Sequence, residues 1–270
     1  MNSIIRWAGS KRQLLTKLSC YWPKDAKRYV EPFCGSACLF FHLEPPKAIL
    51  GDLNSELIST YKALKRDPLL VCEYLKRLQK GRNAYYRIRA IAVDSLSEAE
   101  VAARFLYLNR YCFNGIYRTN RLGKFNVPYG RPKSDNDFEY ESIQAAARIL
   151  KRVSFVDADF QETLKRVEKG DFVYLDPPFA VSQRRVFAEY HPAAFSLNDL
   201  ERLQDCLIKL DRKGIPFVIS YADSREARLL LERWKYRRVR TRRYVAGFAA
   251  HRRNAYELLA TNLKELSHDD

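Results

Sequence analysis

An apolar, strand-forming run that ends on Asp-Pro-Pro-Phe constrains the fold of this 270-residue chain more than any other segment. Residues Phe172–Leu175 combine aromatic and β-branched side chains, which predicts a buried strand. Pro177 and Pro178 end that strand, because each fixes φ near about −65° and lacks a backbone donor. Asp176 and Phe179 are therefore expected at the carboxyl end of a parallel strand, where open α/β sheets bind their ligands.

This end of the strand suits a flat base that carries an exocyclic amino group. Asp176 and a backbone carbonyl can accept the two N–H bonds of the amino group, and Phe179 can stack on the ring. The same four residues are equally compatible with an ordinary strand followed by a Pro-Pro turn. Taken alone, they do not distinguish a base-modifying site from a structural turn.

The charge of the chain points to a polyanionic partner. Lys and Arg total 48 against 32 Asp and Glu, a formal net charge of +16 at pH 7. Nucleic acid is the first partner that such a charge predicts, although a membrane surface or simple solubility also fits it. The basic residues are spread along the chain, which favours a folded basic surface, and the 47% hydrophobic content argues against disorder.

The cysteines and the apolar stretches exclude several other classes. The six cysteines are scattered without a CxxC pair, so we expect reduced thiols and no metal site. Arg6, Lys11 and Arg12 interrupt any amino-terminal apolar run, which excludes a signal peptide there. No apolar stretch reaches the roughly 18 residues of a membrane span. The expectation is a cytoplasmic protein that binds no membrane and no metal.

Two strand–turn–helix units near the amino terminus are typical of a nucleotide-binding sheet. Arg28–Ala37 predicts a strand and a tight turn at Gly35 before a helix. Lys47–Asp52 predicts a second strand that ends on a carboxylate. In dinucleotide folds an acidic residue about 20 positions after the glycine turn binds the ribose hydroxyls, and Asp52 fits that role. Asp52 could instead cap the next helix, although Asn54 is an alternative cap.

The segment before these units combines an aromatic ring, small residues and a cation. Gly9 and Ser10 are predicted to open a helix whose amino terminus would attract an anion. Lys11 would add a positive charge there, and Trp7 would add a stacking face. The alternative is an ordinary helix start with a tryptophan in the core.

The middle of the chain interrupts the alternation of strands and helices. Residues 55 to about 110 show helical spacing, with Ser97 as a cap, and the alternation resumes after Glu141. The pattern predicts an α/β, Rossmann-like sheet formed by residues 1–56 and 150–270. Residues 57–149 are predicted to form an inserted, mainly helical domain that carries a β-hairpin.

The end of this insert has the composition of a nucleic-acid interface. Asn109–Lys133 alternates Arg, Lys and Asn with aromatic rings, and Arg121–Lys124 predicts a hairpin tip. A solvated basic loop is the alternative. A second basic run, at 237–244, predicts either an exposed edge strand or, as we favour, a track for phosphates. The candidate contacts in the insert are Asn109, Arg110, Asn114, Arg118, Thr119, Asn120, Arg121, Lys124, Asn126, Arg131 and Lys133.

In this order the segments resemble the Dam-type DNA adenine-N6 methyltransferases, in which a target-recognition domain lies between the cofactor motif and the catalytic motif. The resemblance covers nearly the whole chain. It rests on Trp-Ala-Gly-Ser-Lys at 7–11, Glu-Pro-Phe-Cys-Gly at 31–35, Asp-Leu-Asn at 52–54, Asn-Arg-Tyr-Cys-Phe-Asn-Gly at 109–115, Gly-Lys-Phe-Asn-Val-Pro-Tyr-Gly at 123–130, Asp-Phe at 159–160 and Asp-Pro-Pro-Phe at 176–179.

The resemblance implies S-adenosyl-L-methionine as methyl donor and duplex DNA as substrate, with adenine N6 modified within GATC after base flipping. It implies a monomer in the cytoplasm, bacterial or phage-encoded, either an orphan or part of a restriction–modification pair. The implied cofactor-binding residues are Trp7, Ala8, Gly9, Lys11, Phe33, Gly35, Asp52, Asp159, Phe160 and Asp176. The implied catalytic residues are Asp176, Pro177, Pro178 and Phe179.

Three departures from the family pattern and two rival functions bear on this reading. Ala37 and Ser10 stand where the family has glycine, and Ala37 is expected to narrow the cofactor slot. Phe179 replaces a tyrosine but keeps the stacking face, so activity is expected. An RNA guanine-N2 methyltransferase would share Asp-Pro-Pro-Phe but is not expected to carry residues 7–11 or 109–133. A non-enzymatic DNA-binding module would not require the acids Asp52, Asp159 and Asp176 at the ends of three strands.

Overall fold

The computed structural model describes residues 1–120, 122–131, 138–179, 195–242 and 254–264, with the backbone alone described at 242, 254 and 255. Within these ranges the chain forms one seven-stranded sheet and ten α-helices. The strands are β1 (Arg28–Glu31), β2 (Ala48–Asp52), β3 (Val153–Asp157), β4 (Asp171–Leu175), β5 (Phe217–Ala222), β6 (Lys235–Arg242) and β7 (Asn254–Thr261). The helices are α1 (Leu15–Ser19), α2 (Cys38–Leu43), α3 (Ser55–Arg66), α4 (Pro68–Arg77), α5 (Arg82–Ala90), α6 (Glu98–Tyr111), α7 (Tyr140–Leu150), α8 (Phe160–Leu164), α9 (Leu197–Arg212) and α10 (Arg225–Leu230).

The order of the strands places the ends of β1 and β4 side by side. The sheet order is β3-β2-β1-β4-β5-β7-β6, in which β1 to β5 run parallel and β7 lies antiparallel between β5 and β6. The chain moves outward in one direction after β1 and in the other after β4, so their boundary is a topological switch point. Such a boundary is where open α/β sheets form a crevice for ligands.

Helices cover both faces of the sheet, which gives the mixed α/β architecture that the sequence predicts. Alternate residues of β4 divide between two cores: Phe172 and Tyr174 pack with α3, α6 and α7, whereas Val173 and Leu175 pack with α8 and α9. A strand buried on both faces reads as a continuous apolar run. The seven-stranded sheet is consistent with a Rossmann-like fold.

The predicted insert shares its core with one face of the sheet. The helices α3 to α7 belong to the same buried cluster as Tyr29 and Leu50 of the sheet, and α3 packs against β2 and β3. The predicted boundary at residue 56 falls inside α3, so the division into two domains remains a prediction. The predicted cap Ser97 is confirmed and forms a capping box with Glu100. Of the two alternatives for α3, Asn54 rather than Asp52 is the cap, since its side chain accepts from Leu57 N at 3.0 Å.

The predicted helix after the tryptophan begins later than expected. Its first turn is the 3₁₀ turn Arg12–Leu14, and Lys11 is the residue before it. Gly9 has a φ of 80°, and the Ser10 amide donates to the Trp7 carbonyl at 3.2 Å. The prediction that Gly9 and Ser10 open the helix is therefore wrong, because these residues form a separate turn ahead of it.

The described part of the basic segment after α6 folds back on itself through isolated bridges rather than regular strands. Single antiparallel bridges join Cys112 to Tyr129 and Thr119 to Phe125. Between them the Asn120 side chain accepts from the amides of Leu122 and Lys124, each at 3.0 Å. The hairpin thus remains a prediction, and Arg121 and Lys133 lie outside the described residues.

The second basic run forms the outer strand of the sheet. Residues 235–242 are β6, which pairs only with β7 among the described residues, so the edge-strand alternative is observed. Its use as a phosphate track remains a prediction, and residues 243 and 244 lie outside the described ranges.

The described ranges also bear on cysteines, metals and membranes. All six cysteines lie in these ranges without a disulfide, and all except Cys20 are buried. No group of three or more potential metal ligands occurs in these ranges, and no helix in them is both long and apolar enough to cross a bilayer.

Candidate active site

A cleft of about 720 Å³ opens at the carboxyl edge of the sheet, where β1 and β4 end. Its size lies within the range of about 300–1,000 Å³ that is typical of ligand sites. All the residues predicted to bind the cofactor or to catalyse line this cleft, although their roles remain predictions. They are Trp7, Ala8, Gly9, Lys11, Phe33, Gly35, Asp52, Asp159, Phe160, Asp176, Pro177, Pro178 and Phe179.

One oxygen of the Asp176 carboxylate is held by two donors. Its Oδ1 accepts from Lys11 Nζ at 2.7 Å and from Ser220 Oγ at 3.2 Å. Ser220 is fully buried on β5 and also lies 3.1 Å from the hydroxyl of Tyr174. Burial raises the pKa of Asp176 above its ordinary value, and the bonds from Lys11 and Ser220 offset part of that effect.

The Lys11 ammonium lies between two carboxylates rather than facing outward. Besides Asp176, it donates to the Gly9 carbonyl at 3.0 Å and lies 3.7 Å from Glu257 Oε2. Burial lowers the pKa of Lys11, but Asp176 and Glu257 outweigh it, and the pKa is raised. The positive charge expected to meet an incoming anion is therefore paired with Asp176 and Glu257.

A second carboxyl group in the cleft, Glu31, was not selected from the sequence. It ends β1, is 2% exposed, and its Oε2 accepts from the hydroxyl of Tyr29 at 3.0 Å. Burial raises the pKa of Glu31 well above its usual range, and the bond from Tyr29 offsets this only in part. Its position directly before Pro32 and Phe33, at the end of a predicted strand, was the signal available in the sequence.

The carboxylate of Asp52, at the end of β2, is hydrogen-bonded to the glycine turn that follows β1. Its Oδ2 accepts from the Gly35 amide at 2.9 Å and its Oδ1 from the Asn54 amide at 3.0 Å. Burial raises the pKa of Asp52, and these N–H bonds offset part of the rise. Gly35 has a φ of 45°, and a Cβ there would lie 2.6 Å from Cδ1 of Trp7, so a side chain would collide with the indole.

Aromatic rings form the wall of the cleft beside α8. Phe33 stacks on Phe160 with ring centroids 5.2 Å apart, and Phe195 lies within 5.9 Å of Phe33. The Arg202 guanidinium also lies over the ring of Phe160, 4.9 Å from its centroid, and pairs with Asp159 at 2.7 Å. A flat apolar ligand ring would meet this wall.

Two further rings lie at the mouth of the cleft. Phe179 is 43% exposed and contacts Tyr221 edge-on at 5.6 Å. Trp7 stacks on Tyr117 at 5.7 Å, which joins the amino-terminal segment to the basic segment after α6. The exposed ring of Phe179 suits stacking on a base that enters from solvent.

Ala37 does not narrow the cleft, contrary to expectation. Its methyl group is fully buried in the core, and the neighbouring residues Ser36 and Cys38 line the cleft instead. Ala37 has a φ of 49°, a left-handed conformation that glycine adopts without strain. The missing glycine therefore affects the backbone of the turn rather than the width of the slot.

The predicted DNA contacts fall into three groups. Asn109 is 6% exposed, and its amide bonds reciprocally with the backbone of Arg6 at 2.9 and 2.7 Å, so it ties two segments together. Arg121 and Lys133 lie outside the described residues. Asn114, Arg118, Asn120, Lys124 and Arg131 are exposed, and Arg110, Thr119 and Asn126 are half-buried.

Comparison with known proteins agrees with this geometry. Residues 7–245 match the family described as D12 class N6 adenine-specific DNA methyltransferase. The chain is 35% identical to the type II methyltransferase M1.LlaDCHI of Lactococcus lactis subsp. cremoris over 95% of this chain and 94% of the relative. It is 31% identical to the retron Ec67 DNA adenine methylase of Escherichia coli over 97% and 92% of the two chains. With the DNA adenine methylase of Escherichia coli K12 the identity is 32%, over 96% and 94%.

Proposed function

The chain belongs to the D12 class of N6 adenine-specific DNA methyltransferases, and on this premise we propose that it transfers the methyl group of S-adenosyl-L-methionine to adenine N6 in duplex DNA. The observation that carries the proposal is the environment of Asp176. This carboxylate ends a central parallel strand, and Lys11 and Ser220 fix one of its oxygens at the edge of the cleft. The family favours a DNA enzyme over the RNA guanine-N2 methyltransferase and the non-enzymatic module.

The donor groups of the cleft fit the proposed cofactor. Glu31 and Asp52 are acceptors for an amino group and for ribose hydroxyls, and Phe33 and Phe160 provide an apolar face for the cofactor adenine. The turn at Gly35 lets the backbone approach closely. When bound, S-adenosylmethionine supplies an electrophilic methyl group on a positively charged sulfur.

The role that follows for Asp176 is to orient the target amino group. The amino lone pair of adenine is delocalised into the ring and is a poor nucleophile. Asp176 Oδ2, which no hydrogen bond reaches within the described residues, and the Pro177 carbonyl accept the two N–H bonds, so that the nitrogen pyramidalises. Positioning and preorganised charge then supply most of the rate, and the methylated nitrogen releases its proton readily.

Only a base that has left the DNA duplex can enter the cleft. Its mouth lies at the edge of the sheet, beside the exposed ring of Phe179, so the adenine flips out of the duplex and stacks there. Arg118 and Lys124 are exposed after α6, in the segment 109–133 for which we propose target recognition. We propose GATC as the site, on the resemblance of that segment, and a monomer acting on DNA in the cytoplasm.

Transfer of labelled methyl groups tests the enzyme assignment. Wild-type protein is incubated with labelled S-adenosylmethionine and either duplex DNA or RNA, and the modified base is mapped. Asp176→Asn is expected to lower kcat by about 10²–10³, since one preorganised acceptor is lost. Asp205→Ala, an exposed carboxylate on α9, is the matched control and should retain wild-type turnover. Label on cytosine or on RNA alone would contradict the proposal.

The recognition site is tested separately by sequencing the modified adenines. Arg118→Ala and Lys124→Ala are expected to relax the preference for GATC, because a bidentate contact with a base edge contributes about 1–3 kcal/mol of discrimination. Modified adenines outside GATC in DNA treated with wild-type protein would contradict the site and leave the enzyme class standing.

A further inference from the structure

A buried carboxylate lies behind the catalytic one, on a strand that the cofactor motifs do not include. Glu257 belongs to β7, where it pairs with Ala222 of β5 and Val239 of β6. It is 6% exposed, although a charged group in the interior of a sheet is costly to bury. Such a residue is expected to have a partner that compensates its charge.

One partner of Glu257 is the lysine that holds Asp176. Lys11 Nζ lies 2.7 Å from Asp176 Oδ1 and 3.7 Å from Glu257 Oε2, and the Lys11 side chain is 5% exposed. Lys11 is the residue before the first 3₁₀ turn, Asp176 follows β4 and Glu257 is on β7, so three separate elements meet at one ammonium group. Asp176 alone would already balance the charge of Lys11.

We propose that Glu257 is a positioning residue for methyl transfer, which shares Lys11 with Asp176 and so maintains the negative charge that Asp176 presents to the cleft. The inference rests on the proposed function. Without Glu257 the ammonium would be drawn wholly to Asp176, which would weaken this carboxylate as an acceptor for the target amino group.

The same change alters the charge that a cationic cofactor meets. Glu257→Gln removes one negative charge from within 3.7 Å of the Lys11 ammonium, whatever else Glu257 contacts. The potential at the cleft then becomes more positive. S-adenosylmethionine carries a positive sulfur, whereas its demethylated product S-adenosylhomocysteine does not, so the variant should discriminate between them differently.

Binding of the two compounds tests this without any turnover. Their dissociation constants are measured by calorimetry on wild type, Glu257→Gln and Asp171→Asn. Asp171 is also a buried carboxylate paired with a cation, Arg28, but at the opposite end of β4. Glu257→Gln is expected to lower the affinity for S-adenosylmethionine relative to S-adenosylhomocysteine by about three- to tenfold. Asp171→Asn should leave that ratio unchanged.

Turnover supplies the second measurement. At saturating DNA and cofactor, Glu257→Gln is expected to lower kcat by about tenfold, less than loss of Asp176 itself. Lys11→Met is expected to lower kcat as well, and adding Glu257→Gln to it should lower kcat little further, since Glu257 acts through Lys11. Glu257→Asp, which keeps the charge, should lie closer to wild type than Glu257→Gln in both measurements. If Glu257→Gln does not fold, Glu257→Ala, which also removes the charge, replaces it with the same expected effects.

Three outcomes would overturn the proposal. They are an unchanged affinity ratio in Glu257→Gln, wild-type kcat in that variant, or effects of Lys11→Met and Glu257→Gln on kcat that multiply independently. Failure of the wild-type protein to bind S-adenosylmethionine or to methylate DNA would instead contradict the proposed function, so the two failures are distinguishable.

Discussion

At the residue scale, the carboxyl groups of the cleft differ in what surrounds them. Asp176 accepts from an ammonium and a hydroxyl, Asp52 from two backbone amides, and Glu31 from the hydroxyl of Tyr29. A charged or backbone donor stabilises a carboxylate more than a neutral phenol does. Three acids at neighbouring strand ends can therefore serve different purposes, and Glu31 is the one whose pKa burial raises furthest from the ordinary range.

The raised pKa of Glu31 predicts a pH-dependent cost in stability. A carboxyl group with a higher pKa in the folded chain binds its proton more tightly there. Its contribution is present at low pH and is lost as pH rises from the unfolded value, about 4.3, through the folded pKa. Glu31→Gln removes this titration, so its free energy of unfolding relative to wild type should increase with pH over that window. Urea denaturation of the cofactor-free proteins from pH 4 to pH 8 measures it; a constant difference would contradict the prediction.

Because Ala37 has a left-handed backbone conformation, we expect this buried position to tolerate replacement by glycine. Ala37→Gly relieves about 1–2 kcal/mol of backbone strain, which offsets the lost methyl burial and the greater freedom of the unfolded chain. We expect the free energy of unfolding to stay within about 1 kcal/mol of wild type. Ala102→Gly, at an equally buried position inside α6, should cost about 2 kcal/mol, because glycine is unfavourable in a helix interior. Equal losses in the two variants would show that the turn is unstrained.

At the scale of elements, a buried arginine joins two helices of the region between β2 and β3. Arg104 on α6 is 5% exposed and donates to the carbonyls of Ile88 at 3.1 Å and Arg89 at 2.9 Å, at the end of α5. The last carbonyls of a helix lack the usual i+4 amide donors; here the Ile91 amide also donates to the Ile88 carbonyl at 3.3 Å. Burial lowers the pKa of Arg104, with Glu56 offsetting part of the effect.

Loss of that arginine is expected to weaken the attachment of α5. Arg104→Met keeps the apolar stem but removes the guanidinium donor from the carbonyl of Arg89 and one of the two donors to that of Ile88, which should lower the free energy of unfolding by about 1–3 kcal/mol. Arg87→Met, at an exposed position on α5, should change the free energy of unfolding by less than about 0.5 kcal/mol. Chemical denaturation measures both, and hydrogen exchange in α5 should rise only in Arg104→Met. Similar losses in the two variants would contradict this role.

At the scale of the whole molecule, positive charge extends beyond the proposed recognition segment, 109–133, to the outer strand of the sheet. The chain carries a net charge of +16, and β6 presents Arg238 and Arg240 on its solvent side. Arg238 is already engaged, since it pairs with Asp223 at 2.7 Å and lies 3.6 Å from the ring of Tyr256. Arg240 lies on β6 near its carboxyl end, at the edge of the sheet that holds the cleft.

This arrangement predicts that Arg240 contacts DNA phosphates. Arg240→Gln should weaken binding equally for DNA with and without GATC, and should reduce the slope of log affinity against log salt by about one unit. Lys213→Gln, at an exposed position after α9, is the matched control and should change neither. Binding measured at several salt concentrations decides it. Wild-type affinity and slope in Arg240→Gln would leave β6 as an edge strand without a role in DNA binding.

The sequence by itself determined the elements and most residues of the cleft, because these depend on neighbours along the chain. Alternation and helical spacing located the strands and helices, Asn54 and Ser97 were recognisable caps, and carboxylates after strands placed Asp52 and Asp176 at one edge of the sheet.

Only the tertiary structure decided which side chains neutralise one another. Lys11 and Asp176 are 165 positions apart, and the bond between them depends on where the amino-terminal turn lies over β4. Ser220 reaches Asp176, and Glu257 reaches Lys11, only because β5 and β7 follow β4 in the sheet order, which local propensity does not encode. The sequence likewise predicts Asn109 as a DNA contact, whereas in the structure its side-chain amide bonds to the backbone of Arg6. Charge pairing depends on distance in space, and the tertiary packing of strands and turns sets that distance.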